Sequence, residues 1–278
     1  MQAALVAGLL IVIVLAAVGV TVSGEWWLTP QAADWGGIDS MLLATTIITG
    51  IAFIIINLIL AYMVYRFRSD NGHRASDEHH NPRLEWSLIG MTTVLIVILL
   101  APGLFVYGQV VSPPDDPIVI EVVGEQWAWN FRYGGEDGAL GASRNDLFGP
   151  GNSMGVDPED PAVLDDRWVP GGPLVLPVGE PILLRLRSRD VIHIFFVPQF
   201  RVKQAAMPGM VNEMWFTPTR VGDYEALCTE FCGIAHHGMV GGVRVVERDE
   251  YEDWLDQQVT VGEMMGLVDE PVMDEAEE

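Results

Sequence analysis

The sequence predicts a membrane-spanning α-helical hairpin followed by an all-β sandwich or barrel. Three long runs without charge lie in the first 111 residues, and short runs rich in Val, Ile, Trp, Tyr and Phe begin at residue 118. A helix needs about 20 apolar residues to cross the hydrocarbon layer, and short β-rich runs broken by Gly, Pro and Asp are typical of sandwiches and barrels. We therefore expect a transmembrane region at 1–111, an outer domain at 112–265 and an acidic tail at 266–278.

The predicted transmembrane helices occupy about 2–22, 41–65 and 87–111. A helix satisfies its own backbone polar groups in lipid, so helices are the expected form of such runs. The second and third runs form the hairpin. The first run is either a third, retained helix or a cleaved signal peptide. Its start lacks basic residues and no small-x-small cleavage site precedes Glu25, which favours the retained helix.

Charge predicts the orientation of the hairpin. The loop between the second and third helices contains four of the 15 basic residues, namely Arg66, Arg68, Arg74 and Arg83. Short basic loops remain in the cytoplasm, so the part after residue 111 is expected on the outer side of the membrane.

The outer part is strongly acidic. Residues 112–278 contain 31 Asp and Glu against 11 Lys and Arg, a net charge of −20. Such a charge repels nucleic acid and accelerates encounters with basic protein partners. The alternative interpretation is an organism adapted to salt, with acidic surfaces throughout.

Eight runs of the outer part predict β-strands, and a helix is expected after them. Between residues 134 and 172 lies a Gly-, Asp- and Pro-rich insertion, which we expect to be functional or flexible because loops of this length are uncommon. Calcium binding there is disfavoured, because no spaced Asp-x-Asp-x-Asp-Gly loop is present. From residue 248, the spacing of Tyr251, Trp254 and Leu255 predicts a short amphipathic helix. The strands are predicted at 118–124, 126–133, 174–177, 182–188, 191–198, 213–218, 224–228 and 240–247.

The segment 228-CTEFCGIAHHGM-239 contains both cysteines of the chain. Taken alone, two cysteines in an oxidising compartment favour a disulfide, although a loop of this size gains little stability from one. A disulfide leaves the nearby histidine and methionine unexplained. Thiolate, imidazole and thioether together suit copper, whereas zinc rarely takes methionine. A second cysteine on the same loop allows two bridging thiolates and hence two copper ions.

The pattern Cys-x-Glu-x-Cys-x3-His-x2-Met, with an upstream Asp-Val-x-His, resembles subunit II of the haem–copper cytochrome c oxidases. The segments 190-DVIHIFFVPQFRVKQ-204 and 124-GEQWAWNFRY-133 are similar to that family's first-ligand strand and its aromatic Gly-x-Gln-Trp-x-Trp segment. The resemblance covers most of the chain. It implies a cupredoxin-like outer domain on the periplasmic side of a bacterial inner membrane.

The resemblance also implies a binuclear, thiolate-bridged copper centre. Glu230 would contribute its backbone carbonyl there, and its side chain would reach a magnesium ion at the border with subunit I. Trp127 resembles the residue at which electrons from cytochrome c arrive. The implied copper ligands are His193, Cys228, Glu230, Cys232, His236 and Met239.

Three further residues lie outside the implied ligand set. Glu85 lies where the family has a glutamate at the mouth of a proton channel, but an interfacial charge without a role explains it equally. His237 has no place in the family pattern and is interpreted as a surface residue or one adjoining the ligands. Trp129 fits core packing of a β-sandwich, because alternate residues of a strand face opposite sides.

The implied function is electron transfer from cytochrome c, through the copper centre, to a haem of subunit I, where oxygen is reduced to water with coupled proton translocation. The chain lacks a Cys-x2-Cys-His haem-attachment motif, so the donor is not fused to it. Ala205 and Met210 replace the acid and the arginine that are usual in the family. Because of this departure, a second hypothesis stays open, in which the chain is the electron-accepting subunit of a copper-containing nitric oxide reductase. A membrane-tethered copper carrier without an enzyme partner is a third hypothesis, disfavoured by Trp127 and Glu230.

Overall fold

The structure, a computed structural model, describes residues 2–68 and 80–267. In these residues three long helices precede ten strands and two short helices. The helices are α1 Gln2–Ser23, α2 Gly36–Arg66, α3 Pro82–Val110, α4 Arg248–Asp256 and α5 Val261–Met264. The strands are β1 Ile118–Glu125, β2 Ala128–Tyr133, β3 Arg167–Pro170, β4 Leu174–Pro177, β5 Ile182–Ser188, β6 His193–Val197, β7 Val202–Ala206, β8 Asn212–Phe216, β9 Gly222–Cys228 and β10 Val240–Val246.

All three long helices are long and apolar enough to cross a membrane. Helices α2 and α3 begin at Gly36 and Pro82, earlier than the predicted 41 and 87, and α3 ends at Val110. The prediction from charge-free runs left out the first turns of these helices, because the turns contain the charged residues Asp39 and Glu85. An acidic side chain is favourable near a helix N-terminus, where the helix dipole is positive.

Two compact units make up the chain, and the segment Thr29–Gly36 belongs to the outer one, although the sequence assigned it to the transmembrane region 1–111. Ala33 bridges to Pro218, and the Trp35 indole N–H donates to the Trp215 carbonyl over 3.3 Å. Thr29–Gly36 is therefore held by contacts within the outer unit. The subdivision at 112 and 265 stays a prediction.

Two five-stranded sheets form the outer domain. Their strand orders are β3-β2-β1-β5-β8 and β4-β10-β9-β6-β7. Strand β1 runs parallel to β5 and β10 parallel to β4, and the other pairings are antiparallel. Side chains such as Ile120, Leu184 and Phe195 are completely buried between elements of the domain. The predicted membrane helices followed by an all-β, cupredoxin-like domain are confirmed.

Strands β3 and β7 were not among the predicted strands. Strand β3 is four residues long and ends at Pro170, and β7 contains Lys203, Gln204 and two alanines. These residue types are uncommon in strands, and only pairing with β2 and with β6 holds the two segments extended.

The 134–172 insertion, which we expected to be functional or flexible, is folded against the first sheet. Met154, Val156 and Val163 of the insertion, together with Trp168 of its own strand β3, form a buried apolar cluster with Val123 of β1. The insertion is held in place by burial of the few apolar side chains that lie between its glycines. Its overall Gly-, Asp- and Pro-rich composition did not indicate this packing.

A buried charge network lies beneath the same insertion. Glu121 of β1 accepts hydrogen bonds from Arg132 of β2 and Arg187 of β5, with nitrogen–oxygen distances of 2.7 to 2.9 Å. Arg132 also pairs with Asp166, and Arg187 donates to the Met154 carbonyl over 3.0 Å. Two arginines and two carboxylates balance, as burial of charge requires.

The C-terminal region contains the predicted helix as α4, followed by α5, which has a capping box between Thr260 and Glu263. Residues 268–278 of the predicted acidic tail, and Arg74 of the predicted basic loop, lie outside the described residues.

Candidate metal centre

The predicted ligands lie at one end of the second sheet, on adjacent strands and the loop between two of them. His193 is the first residue of β6, and Cys228 is the last residue of β9, where it neighbours Phe195 of β6. The loop from β9 to β10 carries Cys232, and Met239 directly precedes β10. All four side chains are buried.

Hydrogen bonds close the loop into a compact turn. The Cys228 backbone N–H donates to the Met239 carbonyl over 3.1 Å, which ties the two ends of the loop together. Within the loop, the His236 N–H donates to the Gly233 carbonyl and the Met239 N–H to the His236 carbonyl, each over 3.2 Å. The sequence spacing therefore turns all four loop side chains toward one point.

The donor atoms form a tight group. The two Sγ atoms lie 3.7 Å apart, and Cys228 Sγ is 3.9 Å from His193 Nδ1. Cys232 Sγ is 3.5 Å from His236 Nδ1 and 3.7 Å from Met239 Sδ. The Glu230 carbonyl oxygen lies 3.3 Å from Cys228 Sγ. The two cysteine sulfurs thus lie at the middle of the group. Around them lie the imidazole nitrogens of His193 and His236, the Met239 thioether and the Glu230 carbonyl.

The two cysteines are free thiols. Their separation is far longer than the roughly 2.05 Å of a disulfide bond. Burial, together with the neighbouring Cys228 thiol, raises the pKa of Cys232 to about 11. A thiolate is therefore unfavourable here unless a positive charge accompanies it, which is what a bound metal ion supplies.

His193 is oriented by Asp190, a residue to which the sequence assigned no role. Asp190 Oδ1 lies 2.8 Å from His193 Nε2, so the proton belongs on Nε2 and Nδ1 is left as a donor atom toward the cysteines. Burial alone would raise the pKa of Asp190, but hydrogen bonds from His193 and from the backbone N–H groups of Gln126 and Val191 lower it. The motif Asp-Val-x-His contained this signal.

The other side of the His193 ring contacts Trp129, which is buried as interpreted. Their rings meet edge to face, with centroids 5.9 Å apart, and Trp129 makes a similar contact with Phe195 at 5.0 Å. A Cβ on Gly124 would lie 3.0 Å from both the His193 and Trp129 rings, so only glycine leaves room for this packing.

Trp127 lies in the two-residue turn between β1 and β2, outside the donor group, and is 38% exposed. Its indole rests against Gly233 of the metal loop, since a Cβ on Gly233 would lie 3.1 Å from Trp127 Nε1 and Cζ2. Gly233 has a φ of +133°, a conformation that other residues rarely adopt. The predicted electron-accepting residue is therefore at once near the cysteines and open to a partner.

The outer rim of the loop is exposed and apolar. Phe231 and Ile234, on either side of Cys232, are 79% and 88% exposed. Glu230 and His237 are both exposed at the surface, and the magnesium role of the Glu230 side chain stays a prediction.

Glu85 lies in the other compact unit, at the start of α3. Its carboxylate accepts the Asn81 backbone N–H over 3.2 Å and lies 2.9 Å from His80 Nδ1. Asn81 in turn accepts the Leu84 N–H, so Glu85 takes part in capping the helix. A capping role explains Glu85 without a channel, and its proton-channel role stays a prediction.

These donors fit a copper centre. The buried thiols, two imidazole Nδ1 atoms and a thioether form a soft set that matches Cu(I) and Cu(II) better than magnesium or calcium. The fold and this site define a cupredoxin-like protein that has three helices apolar enough to cross a membrane and a group of His and Cys side chains that could hold a soft metal ion.

Comparison with known proteins identifies the family. Residues 118–246 match the family described as cytochrome C oxidase subunit II, periplasmic domain. The chain is 41% identical to the alternative cytochrome c oxidase subunit 2 of Bradyrhizobium diazoefficiens, over 94% of each chain. It is 30% identical to cytochrome c oxidase subunit 2 of Cereibacter sphaeroides, over 82% of this chain and 77% of the relative. The crystal structure of the periplasmic domain of cytochrome oxidase subunit II from Bradyrhizobium japonicum is 29% identical, with a TM-score of 0.40, over 53% of this chain and 96% of that one.

The chain belongs to the cytochrome c oxidase subunit II family, whose members are parts of haem–copper oxidases. It is a membrane protein with a cupredoxin-like domain, and the family is associated with a copper centre.

Proposed function

We propose that this chain is the electron-accepting subunit of a haem–copper terminal oxidase. It takes electrons from a cytochrome c and passes them to the haem of the large subunit, which reduces oxygen to water with coupled proton translocation. The observation that carries the proposal is the donor group, in which two buried free thiols lie 3.7 Å apart within reach of two imidazoles and a thioether.

In this proposal the thiolates of Cys228 and Cys232 would hold two copper ions between them. His193 and Met239 would each complete one ion, with His236 as the second imidazole and the Glu230 carbonyl as a further ligand. Such a pair would supply a one-electron acceptor whose charge is spread over both metals.

The protein's own contribution is rigidity. The Cys228–Met239 hydrogen bond, the Asp190–His193 contact and the Trp129 ring hold the donors still. A ligand set that does not rearrange when an electron arrives transfers it with little reorganisation, because the surrounding dipoles are already in place.

Trp127 provides the path from the donor. Its exposed indole offers a contact to a docked haem edge, and its position against Gly233 connects that contact with the loop of Cys232. The acidic outer part, with a net charge of −20, attracts a basic cytochrome c.

We place the chain in a bacterial inner membrane with the copper domain on the periplasmic side. Arg66, Arg68 and Arg83 border the α2–α3 connection, which the positive-inside rule keeps in the cytoplasm. The exposed Glu230 side chain is proposed to reach a magnesium ion at the border with the large subunit.

A nitric oxide reductase of the same superfamily is the second candidate. It is favoured by Met210, which is half exposed where the family usually has an arginine, and by Ala205 in place of the acid. The large subunit that meets this surface differs from that of most oxidases. A carrier without an enzyme partner is disfavoured, because a relative that matches 94% of each chain is named as an oxidase subunit.

Purification of the native complex tests the proposal. The chain is expected to copurify with a haem-bearing large subunit and to show an electron paramagnetic resonance signal from one electron shared over two copper nuclei. A signal from a single isolated copper contradicts the binuclear centre. Turnover of the same preparation with oxygen and with nitric oxide, in separate assays, decides between the two candidates.

A further inference from the structure

The turn between β1 and β2 contacts both halves of the candidate metal centre through one residue, Gln126. Its backbone N–H donates to Asp190 Oδ2 over 2.7 Å, and the other oxygen of Asp190 holds His193. Its side-chain Nε2 donates to the Cys232 carbonyl over 2.6 Å. Gln126 therefore connects the strand that carries His193 with the loop that carries Cys232, although these lie far apart in the sequence.

Gln126 and Trp127 also share one surface of the metal loop. A Cβ on Gly233 would lie 2.8 Å from Gln126 Nε2 and 3.1 Å from the Trp127 ring. The amide and the indole thus lie side by side on the same backbone. Trp127 is 38% exposed, and the hydrogen bond from Gln126 Nε2 to the Cys232 carbonyl joins the turn that carries it to the metal loop.

We propose that Gln126 is a positioning residue for electron transfer, whose side-chain amide holds Trp127 against the metal loop. The inference rests on the proposed function, since it states how the electron path is kept in place. The chemistry of the side chain suits the task. The Cys232 carbonyl is an acceptor, so it requires an N–H donor, and a neutral amide supplies one without bringing a charge to the centre.

The side chain also has the necessary length. Asparagine is one methylene shorter and cannot span from the β1–β2 turn to the Cys232 carbonyl at the same backbone position. Methionine has a similar length but no donor. These two substitutions therefore remove the same hydrogen bond in different ways.

The test uses the complete oxidase complex with Gln126→Met and Gln126→Asn. We expect copper to be retained and reduction of the centre by reduced cytochrome c to slow by about tenfold, within the range of coupling between contacting residues. Hydroxyl-radical footprinting with mass spectrometry should show greater modification of Trp127 in both variants. Gln257→Met is the matched control, because Gln257, the residue that follows α4, also donates from Nε2 to a carbonyl, that of Asp253 over 2.8 Å.

A double-mutant cycle separates positioning from a general structural effect. If Gln126 acts through Trp127, Gln126→Met slows electron transfer in the native background but adds little when Trp127→Phe is already present. Equal slowing in both backgrounds, or unchanged rate and footprint, overturns the inference. Loss of copper from both Gln126 variants also overturns it, because Gln126 would then serve metal binding rather than Trp127.

The outcomes also distinguish this inference from the proposed function. If the native complex lacks the two-copper resonance signal, the proposed function fails whatever the Gln126 variants do. If the native signal is present and Gln126→Met behaves like Gln257→Met, only the inference fails.

Discussion

His193 illustrates how neighbours prepare a single ligand side chain before any metal binds. One ring nitrogen is held by Asp190, and the imidazole and the Trp129 ring meet edge to face. The other nitrogen, Nδ1, lies 3.9 Å from Cys228 Sγ. Such outer contacts determine how strongly a metal is held, because they fix the tautomer and the orientation of the ligand.

Asp190→Asn is expected to weaken copper binding by about 10- to 100-fold, the usual effect of losing an outer partner of a metal-bound histidine. The asparagine side chain lacks the negative charge that holds the proton on His193 Nε2. Its NH2 group would also face another N–H donor, either that of His193 or the backbone N–H of Gln126. Copper retention against a competing chelator measures this. Asp223→Asn, at an exposed pair with Arg244, is the control. Equal retention in the two variants contradicts the role of Asp190.

Trp127→Phe is expected to slow reduction by cytochrome c without removing copper. Phenylalanine keeps an aromatic ring but is smaller, so it makes less contact with Gly233 and with a docked cytochrome c. Stopped-flow reduction together with copper content provides the measurement. Trp254→Phe, on α4, is the control. Copper loss or an unchanged rate counts against Trp127 as the residue at which electrons arrive.

Among the elements of the outer domain, the 134–172 insertion shows how a loop without regular patterning becomes fixed. Its apolar residues join the cluster around Val123, and Arg187 of β5 donates to Asn145 and to the Met154 carbonyl, both within the insertion. Since Arg187 also pairs with Glu121, the insertion is joined to the sheet by buried charges.

Arg187→Met is expected to destabilise the outer domain by about 3–5 kcal/mol, the usual result of removing one partner of a buried ion pair. The loss leaves Glu121 with fewer partners and releases the insertion. Thermal unfolding of the full chain in detergent, with proteolysis between 143 and 156, measures both effects. The control is Arg244→Met, whose pair with Asp223 is exposed and contributes about 1 kcal/mol or less. A loss as small as that of the control contradicts this account.

The same network predicts a dependence on pH. Burial by itself would raise the pKa of Glu121, but Arg132 and Arg187 lower it below 4.5. The Glu121 carboxylate therefore binds a proton more strongly in the unfolded chain than in the folded one. Its contribution to the free energy of unfolding is complete above pH 4.5 and is lost as the pH falls through the lower pKa that Glu121 has in the folded state.

Unfolding temperatures of the native chain and of Glu121→Gln, compared from neutral pH downward, check this sign. The native advantage should shrink below pH 4.5. Burial raises the pKa of Asp166 to about 6, so protonation of Asp166 adds to the stability of the folded state as the pH falls. This opposite effect is present in both proteins, and comparing them removes it. A native advantage that grows on acidification contradicts the prediction.

The chain as a whole combines an apolar membrane unit with an acidic outer unit, and this division bears on its partners. If the charge of −20 serves donor docking, the reduction rate by a basic cytochrome c should fall as salt is raised. Between 0.01 M and 0.15 M the screening length shortens from about 30 Å to about 8 Å, and steered association slows by tenfold or more.

Stopped-flow reduction over this range of salt measures the effect, with an uncharged small reductant as the control. A rate for cytochrome c that is as insensitive to salt as that of the uncharged reductant would indicate acidity that reflects adaptation to salt rather than docking.

Much of this organisation was predictable because it depends on local patterns. The three membrane helices follow from composition, since backbone polar groups in lipid must be satisfied within the segment. The loop residues Cys228, Cys232, His236 and Met239 were nominated from the chemistry of their side chains and from the family resemblance of the segment that contains them. Strands β3 and β7 were missed, because their residues favour strands only when a neighbouring strand pairs with them.

The contacts that only the tertiary structure shows are those between segments distant in sequence. The sequence specified the helices, the all-β pattern and the chemistry of each donor, because these depend on neighbouring residues. It did not specify that the β1–β2 turn would meet the β9–β10 loop, placing Gln126 on Cys232 and Trp127 on Gly233. Nor did it specify that Glu121 and Arg187 would be buried together. Such pairings depend on which strands become neighbours when the two sheets close around their shared core, and no local pattern encodes that choice.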